Sequence, residues 1–179
     1  MIVKVASWNI NSLRARQDSF QKWISDAKPD IVGLQETKVT DDQFPADIFF
    51  ENGFDVFFFG QKSYNGVCIA FKKISSIKCE NVVMNIPGWK DDQARVIMCS
   101  LSLANSFRFN VVSVYVPNGN SLGDPKFTYK LSFLQNLKRF TQQLLKENES
   151  LCLMGDFNIA PTDLDVHDPD LWREKILCS

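Results

Sequence analysis

A strand, an amphipathic helix and a second strand follow one another at the start of the chain, and this order restricts the fold most. Residues 2–8 are apolar and rich in β-branched side chains, which predicts a strand. Residues 13–27 carry apolar side chains at helical spacing, and the Lys-Pro-Asp sequence at 28–30 ends that helix. Residues 31–36 predict the second strand. Such units are usually parallel, so both strands should end at the same edge of one sheet.

Short strands outnumber helices in the remainder of the sequence. Further strands are predicted at 54–59, 67–71, 77–83, 94–103, 107–116 and 151–154, with a short helix within 41–50 and a last helical turn or two at 171–177. The Ala-Asn-Ser sequence at 104–106 predicts a hairpin-like connection.

A second long helix is expected to begin at Asp124, followed by proline at the first helical position. Its apolar stripe consists of Phe127, Leu131, Leu134, Leu137, Phe140 and Leu144, and the helix is predicted to end at about Lys146. Two long amphipathic helices need sheets to pack on, so we predict an α/β protein with the sheets inside and the helices outside.

The charge, the apolar runs and the cysteine and histidine counts limit the partners and the chemistry expected of the chain. The net charge of −1, from 20 basic and 21 acidic residues, leaves nucleic-acid binding to a local patch. Without a signal peptide or an apolar run of membrane-spanning length, we expect a cytoplasmic protein with no membrane partner. The five cysteines form no C-x-x-C pair, so we expect free buried thiols. His167 is the only histidine, which disfavours a zinc site and a serine-histidine catalytic set.

Polar side chains are predicted at the ends of several strands. The apolar run 151–154 is followed by Gly155, where we expect the strand to end, and then by Asp156 and Asn158. These two residues are two apart, so they can share one face near a strand end. An alternative interpretation is an Asx-rich turn after a core strand, which the stretch alone favours. Asn9 follows another predicted strand, Glu36 ends the strand predicted at 31–36, and Tyr115 lies near the end of the strand predicted at 107–116.

Together these residues are suited to phosphodiester hydrolysis. Glu36 and Asn9 offer hard oxygen ligands, which suit magnesium or manganese better than zinc or copper. Asp156 could align or deprotonate a water, while Asn158 and Tyr115 could hydrogen-bond the phosphate. Taken singly, each residue has a simpler explanation as a turn former, a polar strand end or a half-buried aromatic.

Five motifs in order resemble exodeoxyribonuclease III, the abasic-site endonuclease branch of the endonuclease/exonuclease/phosphatase superfamily. They are SWNINSLRAR (7–16), PDIVGLQETK (29–38), FGQKSYNGV (59–67), NVVSVYVPNG (110–119) and MGDFNIAP (154–161). The resemblance covers essentially all 179 residues. It implies a four-layered α/β sandwich with two central mixed sheets flanked by helices.

The resemblance also implies an activity and roles for particular residues. The activity would be that of a magnesium-dependent phosphodiesterase, with manganese as the alternative metal, acting on duplex DNA at abasic sites or 3′ ends as an endonuclease, 3′-to-5′ exonuclease and 3′-phosphatase. The protein would be a monomer in its full-length form. The implied roles are metal binding for Asn9 and Glu36, catalysis for Tyr115, Asp156 and Asn158, and DNA binding for Lys38, Tyr64 and Asn65.

The sequence departs from the family at its end. The family continues with a second half that carries a tryptophan loop, another aspartate and a terminal Ser-Asp-His, none of which occurs here. We therefore expect residues 1–179 to be the N-terminal portion of a single domain, a fragment or an early-terminated product, incomplete and poorly stable or aggregation-prone. Two alternatives stay open: an inactive remnant that at most binds DNA or metal, and a small-molecule phosphatase.

Overall fold

The computed structural model of the chain describes residues 2–74, 77–103, 107–147, 150–173 and 175–178. The strands are β1 (Val5–Asn9), β2 (Ile31–Gln35), β3 (Phe54–Phe59), β4 (Val67–Lys72), β5 (Ile77–Met84), β6 (Val96–Leu103), β7 (Phe107–Tyr115) and β8 (Ser150–Asp156). The α-helices are α1 (Gln17–Ala27), α2 (Asp47–Phe50), α3 (Pro125–Lys146) and α4 (Pro169–Trp172). Short 3₁₀ turns cover Arg14–Arg16, Asp41–Gln43 and Asp163–Asp165.

The strands form two mixed four-stranded sheets packed face to face. The first sheet has the order β1-β2-β4-β3 and the second the order β5-β6-β7-β8. The pairs β1–β2 and β7–β8 are parallel, whereas the other pairs are antiparallel. The edge strands β1 and β8 lie against each other across the sandwich. The parallel strands of both sheets therefore end close together, which is where the polar side chains lie.

Three apolar layers hold the four-layered α/β sandwich together. Helices α1 and α2 pack on the outer face of the first sheet, around Phe20 and Phe49. The inner faces of the two sheets meet around Ile69, Ile97 and Val111. Helix α3 covers the outer face of the second sheet. The predicted fold class, two central mixed sheets flanked by helices, is confirmed.

Most predicted elements are present, with shifted boundaries. Strand β1 begins later than predicted, and the first helix opens with a 3₁₀ turn before Gln17. The left-handed conformation of Lys28 ends α1 at the predicted place. Asp124 caps α3 by accepting a hydrogen bond from the Lys126 N–H at 2.8 Å, and Pro125 is its first residue.

Three predictions about local features need correction. Strand β8 continues through Gly155 to Asp156, because Gly155 pairs with Val114 of β7. In α3 Leu131 is exposed, and Lys130 and Phe133 lie on the buried face instead. All five cysteines are free, but only those at positions 68 and 99 are buried.

Strands β6 and β7 pair as a hairpin would, while the connection 104–106 lies outside the described residues. Within the described part of the chain, no helix is long and apolar enough to cross a membrane.

Candidate active site at the strand ends

Asn9 connects the two sheets at the edge where their parallel strands end. Its side-chain amide donates to Glu36 Oε1 at 2.8 Å and to Asp156 Oδ2 at 2.7 Å. Asn9 ends β1, Glu36 directly follows β2, and Asp156 ends β8. The Asn9 side-chain oxygen accepts a hydrogen bond from the Asn11 N–H at 3.1 Å, which fixes the orientation of the amide. Two carboxylates from different sheets thus share one amide donor.

Glu36 is held in its charged form by its surroundings. Lys38 Nζ lies 2.8 Å from Glu36 Oε2 and 2.5 Å from Asn11 Oδ1. Burial is the largest single influence on the pKa of Glu36 and acts to raise it. Hydrogen bonds from Asn9, Lys38 and Tyr115, together with the positive charge of Lys38, outweigh burial and leave the pKa below its ordinary value. Glu36 and Lys38 both have positive φ angles, an uncommon conformation for residues other than glycine.

Tyr115 completes this group from the end of β7, where it pairs with Asp156. Burial, the negative charge of Glu36 and a hydrogen bond to that carboxylate raise the pKa of Tyr115 to about 12. The hydroxyl therefore stays protonated at neutral pH and remains a hydrogen-bond donor. The guanidinium of Arg95 lies 4.8 Å from the ring centroid and donates to the Tyr115 backbone oxygen at 3.2 Å. Arg95 therefore holds the Tyr115 ring in place.

The segment after β8 is organised by its own hydrogen bonds. Asp156 Oδ1 accepts from the Asn158 N–H at 3.0 Å, and Asn158 adopts a positive φ. The Asn158 side chain donates to the Val116 backbone oxygen at 2.9 Å and accepts from Asn118 Nδ2 at 3.3 Å. One Asp156 oxygen thus accepts a hydrogen bond from Asn9, while the other accepts one from the Asn158 N–H within this turn.

The residues with an expected DNA-binding role lie in different surroundings. Tyr64 is 70% exposed and Asn65 is buried, and both line a cleft of about 390 Å³ beside Tyr115 and Arg95. Asn65 donates to Gln61 Oε1 at 2.8 Å and to Gln93 Oε1 at 3.2 Å, which fixes its loop. Lys38 lies in a separate depression that also contains Arg14 and Lys62. The structure therefore brings Asn9, Glu36, Tyr115 and Asp156 together, places Asn158 beside them, and puts Tyr64 and Asn65 along an adjacent wall.

The oxygen atoms of this group fit magnesium better than a softer metal. Glu36 supplies a carboxylate, and magnesium is usually held by one or two carboxylates with several waters. Asn9 directs its NH₂ group at the Glu36 and Asp156 carboxylates, so its oxygen would reach a metal only after the amide turns. Among the described residues there is no cluster of three or more histidine, cysteine or acidic side chains, the kind of cluster typical of zinc sites.

Sequence reasoning missed Arg95, Gln93 and Lys130. Gln93 follows a polar loop and Arg95 lies at the start of the strand predicted at 94–103, and nothing in the sequence indicated the contacts of either residue. Lys130 lies three and seven residues before Phe133 and Leu137, on the buried face of α3. A lysine at a position where the helix otherwise presents apolar side chains to the core was a sequence signal for a buried, hydrogen-bonded cation.

Comparison with known proteins decides the family. Residues 6–174 match the Endonuclease/Exonuclease/phosphatase family. This chain belongs to that family. The exodeoxyribonuclease III of Haemophilus influenzae is 34% identical over 177 residues, covering 98% of this chain and 64% of the relative. The family resemblance drawn from the sequence, to exodeoxyribonuclease III-type hydrolases, is thereby confirmed.

Solved structures of this family agree with the fold. A 3′-phosphatase from Neisseria bound to a product DNA hairpin has a TM-score of 0.89 and 38% identity, covering 99% of this chain and 66% of that one. An AP endonuclease from Archaeoglobus fulgidus has a TM-score of 0.88 and 33% identity, covering 98% of this chain and 65% of that one. The chain thus spans about two thirds of the length of each of these relatives.

Proposed function

We propose that the chain carries the core of a metal-dependent DNA phosphodiesterase of the exodeoxyribonuclease III type, acting in DNA repair. The observation that carries this proposal is the junction at Asn9, where one amide holds Glu36 of the first sheet and Asp156 of the second. The relatives support DNA as the substrate, since they include an exodeoxyribonuclease III, an AP endonuclease and a phosphatase bound to DNA. Abasic sites and 3′ ends in duplex DNA are the proposed targets, including removal of 3′ phosphates.

Glu36, with Asn9 beside it, would hold magnesium, or manganese in its place. When bound there, such a metal polarises a phosphoryl oxygen and stabilises the leaving oxygen. Lys38 neutralises part of the charge of Glu36 and keeps the carboxylate oriented. Hydrogen bonds from Asn9, Lys38 and Tyr115, with the charge of Lys38, outweigh burial and lower the pKa of Glu36, so the carboxylate stays ionised and able to act as a ligand.

The remaining residues act on the water and the phosphate. Asp156 accepts a proton from the attacking water, because its carboxylate is held at the strand end by Asn9 and by the Asn158 N–H. Tyr115, protonated at neutral pH, donates a hydrogen bond to a phosphate oxygen as negative charge develops there. Asn158 contributes a second donor when its amide exchanges the Val116 oxygen for the phosphate. Lys38, Tyr64 and Asn65 would contact the DNA backbone from the surrounding loops.

We propose further that residues 1–179 form the N-terminal portion of a single domain. The relatives are longer by about a third of their own length. Strands β1 and β8 are edge strands on the same side of the sandwich, and both are partly exposed along their length. A longer chain could add strands at these edges. If cleavage of DNA needs those strands, residues 1–179 alone are an inactive remnant.

The test is nicking of a duplex that carries one abasic site, with magnesium, with manganese and with chelator. We expect metal-dependent cleavage that Glu36→Gln lowers at least 100-fold, since the substitution removes the ligand charge but keeps its shape. The exposed Glu51→Gln is the matched control and should leave the rate unchanged. An absence of nicking by this chain, while the Haemophilus relative cleaves in the same assay, would favour the inactive remnant.

A further inference from the structure

Lys130 is a buried cation that the proposed chemistry does not use. It is 3% exposed and lies on the face of α3 that packs on the second sheet, between Phe127 and Phe133. A buried ammonium is costly unless its three donors are satisfied. All three are satisfied by backbone carbonyls, and within the described part of the chain no carboxylate forms an ion pair with Lys130.

The three carbonyls belong to three separate segments. Lys130 Nζ donates to the Asn158 oxygen at 2.7 Å, to the Ile176 oxygen at 3.2 Å and to the Asn118 oxygen at 3.3 Å. Asn118 lies in the segment after β7, and Asn158 in the segment after β8. Ile176 belongs to the C-terminal segment, in which the Leu177 oxygen accepts from the Ala160 N–H at 2.8 Å. One ammonium therefore joins the turns that follow the two parallel strands of the second sheet.

The turn after β7 is shaped around the Lys130 side chain. Gly119 has a φ of +91°, and a Cβ there would lie 3.0 Å from Lys130 Cδ and 3.1 Å from Ile176 Cδ1. A residue with a side chain would be both strained and crowded at this position. The glycine allows the turn to close over the lysine stem.

We propose that Lys130 is a positioning residue that sets the two asparagine turns relative to Asp156. By holding the Asn118 and Asn158 carbonyls on one ammonium, it keeps the two turns close enough for Asn118 Nδ2 to donate to Asn158 Oδ1 at 3.3 Å. Because its three donors are occupied by carbonyls, Lys130 acts through the two turns, and its catalytic consequence rests on the proposed function.

The test compares Lys130→Met with Lys138→Met in the full chain. Methionine keeps most of the stem but removes the ammonium, and Lys138 is an exposed lysine on the same helix. We expect Lys130→Met to shift the backbone amide resonances of residues 118–120 and 158–160 and to increase their mobility in ¹⁵N relaxation, while Lys138→Met leaves them unchanged. With the abasic duplex, we expect kcat to fall 10- to 100-fold and KM to change less than threefold, because misplacement by about 1 Å costs up to about 100-fold.

Native resonances and native mobility of both turns in Lys130→Met would overturn the proposal, as would a kcat within twofold of the unsubstituted chain. If the unsubstituted chain does not cleave DNA, the proposed function fails, while the resonances still decide the role of Lys130. If Lys130→Met does not fold, Lys130→Gln and Lys130→Arg take its place. Native turns in Lys130→Gln would then overturn the proposal, and native turns in Lys130→Arg alone would support the need for a cation.

Discussion

Asp30 illustrates how a single carboxylate stabilises this fold at the residue scale. It accepts hydrogen bonds from the Lys4 N–H and from Lys72 Nζ, both at 2.8 Å, and so joins the start of β2 to β4 and to the residue before β1. The Lys4 N–H is the largest cause of its lowered pKa, followed by the hydrogen bond and the charge of Lys72. Because its pKa is lower in the folded state, Asp30 stabilises the fold above about pH 4, and that contribution is lost as the pH falls through the folded pKa.

We therefore expect Asp30→Asn to lower the free energy of unfolding by about 0.5–1.5 kcal/mol at pH 7. The difference between the two chains should shrink as the pH is lowered from 5 toward 3, measured by urea unfolding at each pH. Asp55→Asn is the control, since Asp55 lies 3.8 Å from Lys73 in a more exposed pair and should change stability very little. A difference that does not depend on pH would mean that the charge of Asp30 is not its source.

The residues that sequence reasoning could place are those at the ends of strands. Each of these residues follows or ends an apolar run, and parallel pairing brings such positions to one edge of a sheet. They are Asn9, Glu36, Tyr115 and Asp156. Arg95 and Lys130 reach the site from a loop and from a helix face, and their contacts depend on how layers pack. Periodicity describes one element at a time and carries no information about packing between layers.

At the scale of elements, the β7–β8 pair depends on one glycine. Gly155 was expected to end β8, but it pairs with Val114 inside the strand. It has a φ of +151°, and a Cβ there would lie 1.9 Å from the Val114 backbone oxygen. The prediction that the strand ends at Gly155 was wrong, because the sequence could not distinguish the end of a strand from close approach of a neighbouring strand.

Gly155→Ala should lower the free energy of unfolding by about 2–4 kcal/mol, because the added methyl group forces the two strands apart. Gly88→Ala is a suitable comparison, since Gly88 also has a positive φ, of +77°, but nothing lies within 4 Å of the added Cβ. It should show only the conformational penalty, about 1–2 kcal/mol. Thermal and urea unfolding of both variants measure the difference. Equal losses in the two variants would show that β8 can move away from β7 at no cost.

At the scale of the whole molecule, each sheet has two edge strands, β1 and β3 in the first and β5 and β8 in the second, and β1 and β8 form one side of the sandwich. Edge strands β1 and β8 lie next to each other there, and Val5 is 39% exposed. Apolar side chains of β8, including Leu151 and Leu153, are also partly exposed. Unpaired backbone groups flanked by apolar side chains favour pairing with another chain. The family resemblance predicted the four layers. The identity of the edge strands follows only from the observed strand order.

We expect the chain to bind a dye specific for exposed apolar surface, to melt over a broad range and to self-associate as its concentration rises. Val5→Lys should reduce self-association severalfold in light scattering after size-exclusion chromatography, because a charged side chain on an edge strand opposes pairing with a second chain. Leu145→Lys is the matched control, since Leu145 is 56% exposed on α3 and is not part of an edge strand, and it should change little. A sharp cooperative melt of a monomer without dye binding would contradict this expectation and would mean that β1 and β8 are stable as free edges. In that case the site at the strand ends could be studied in this chain without further strands.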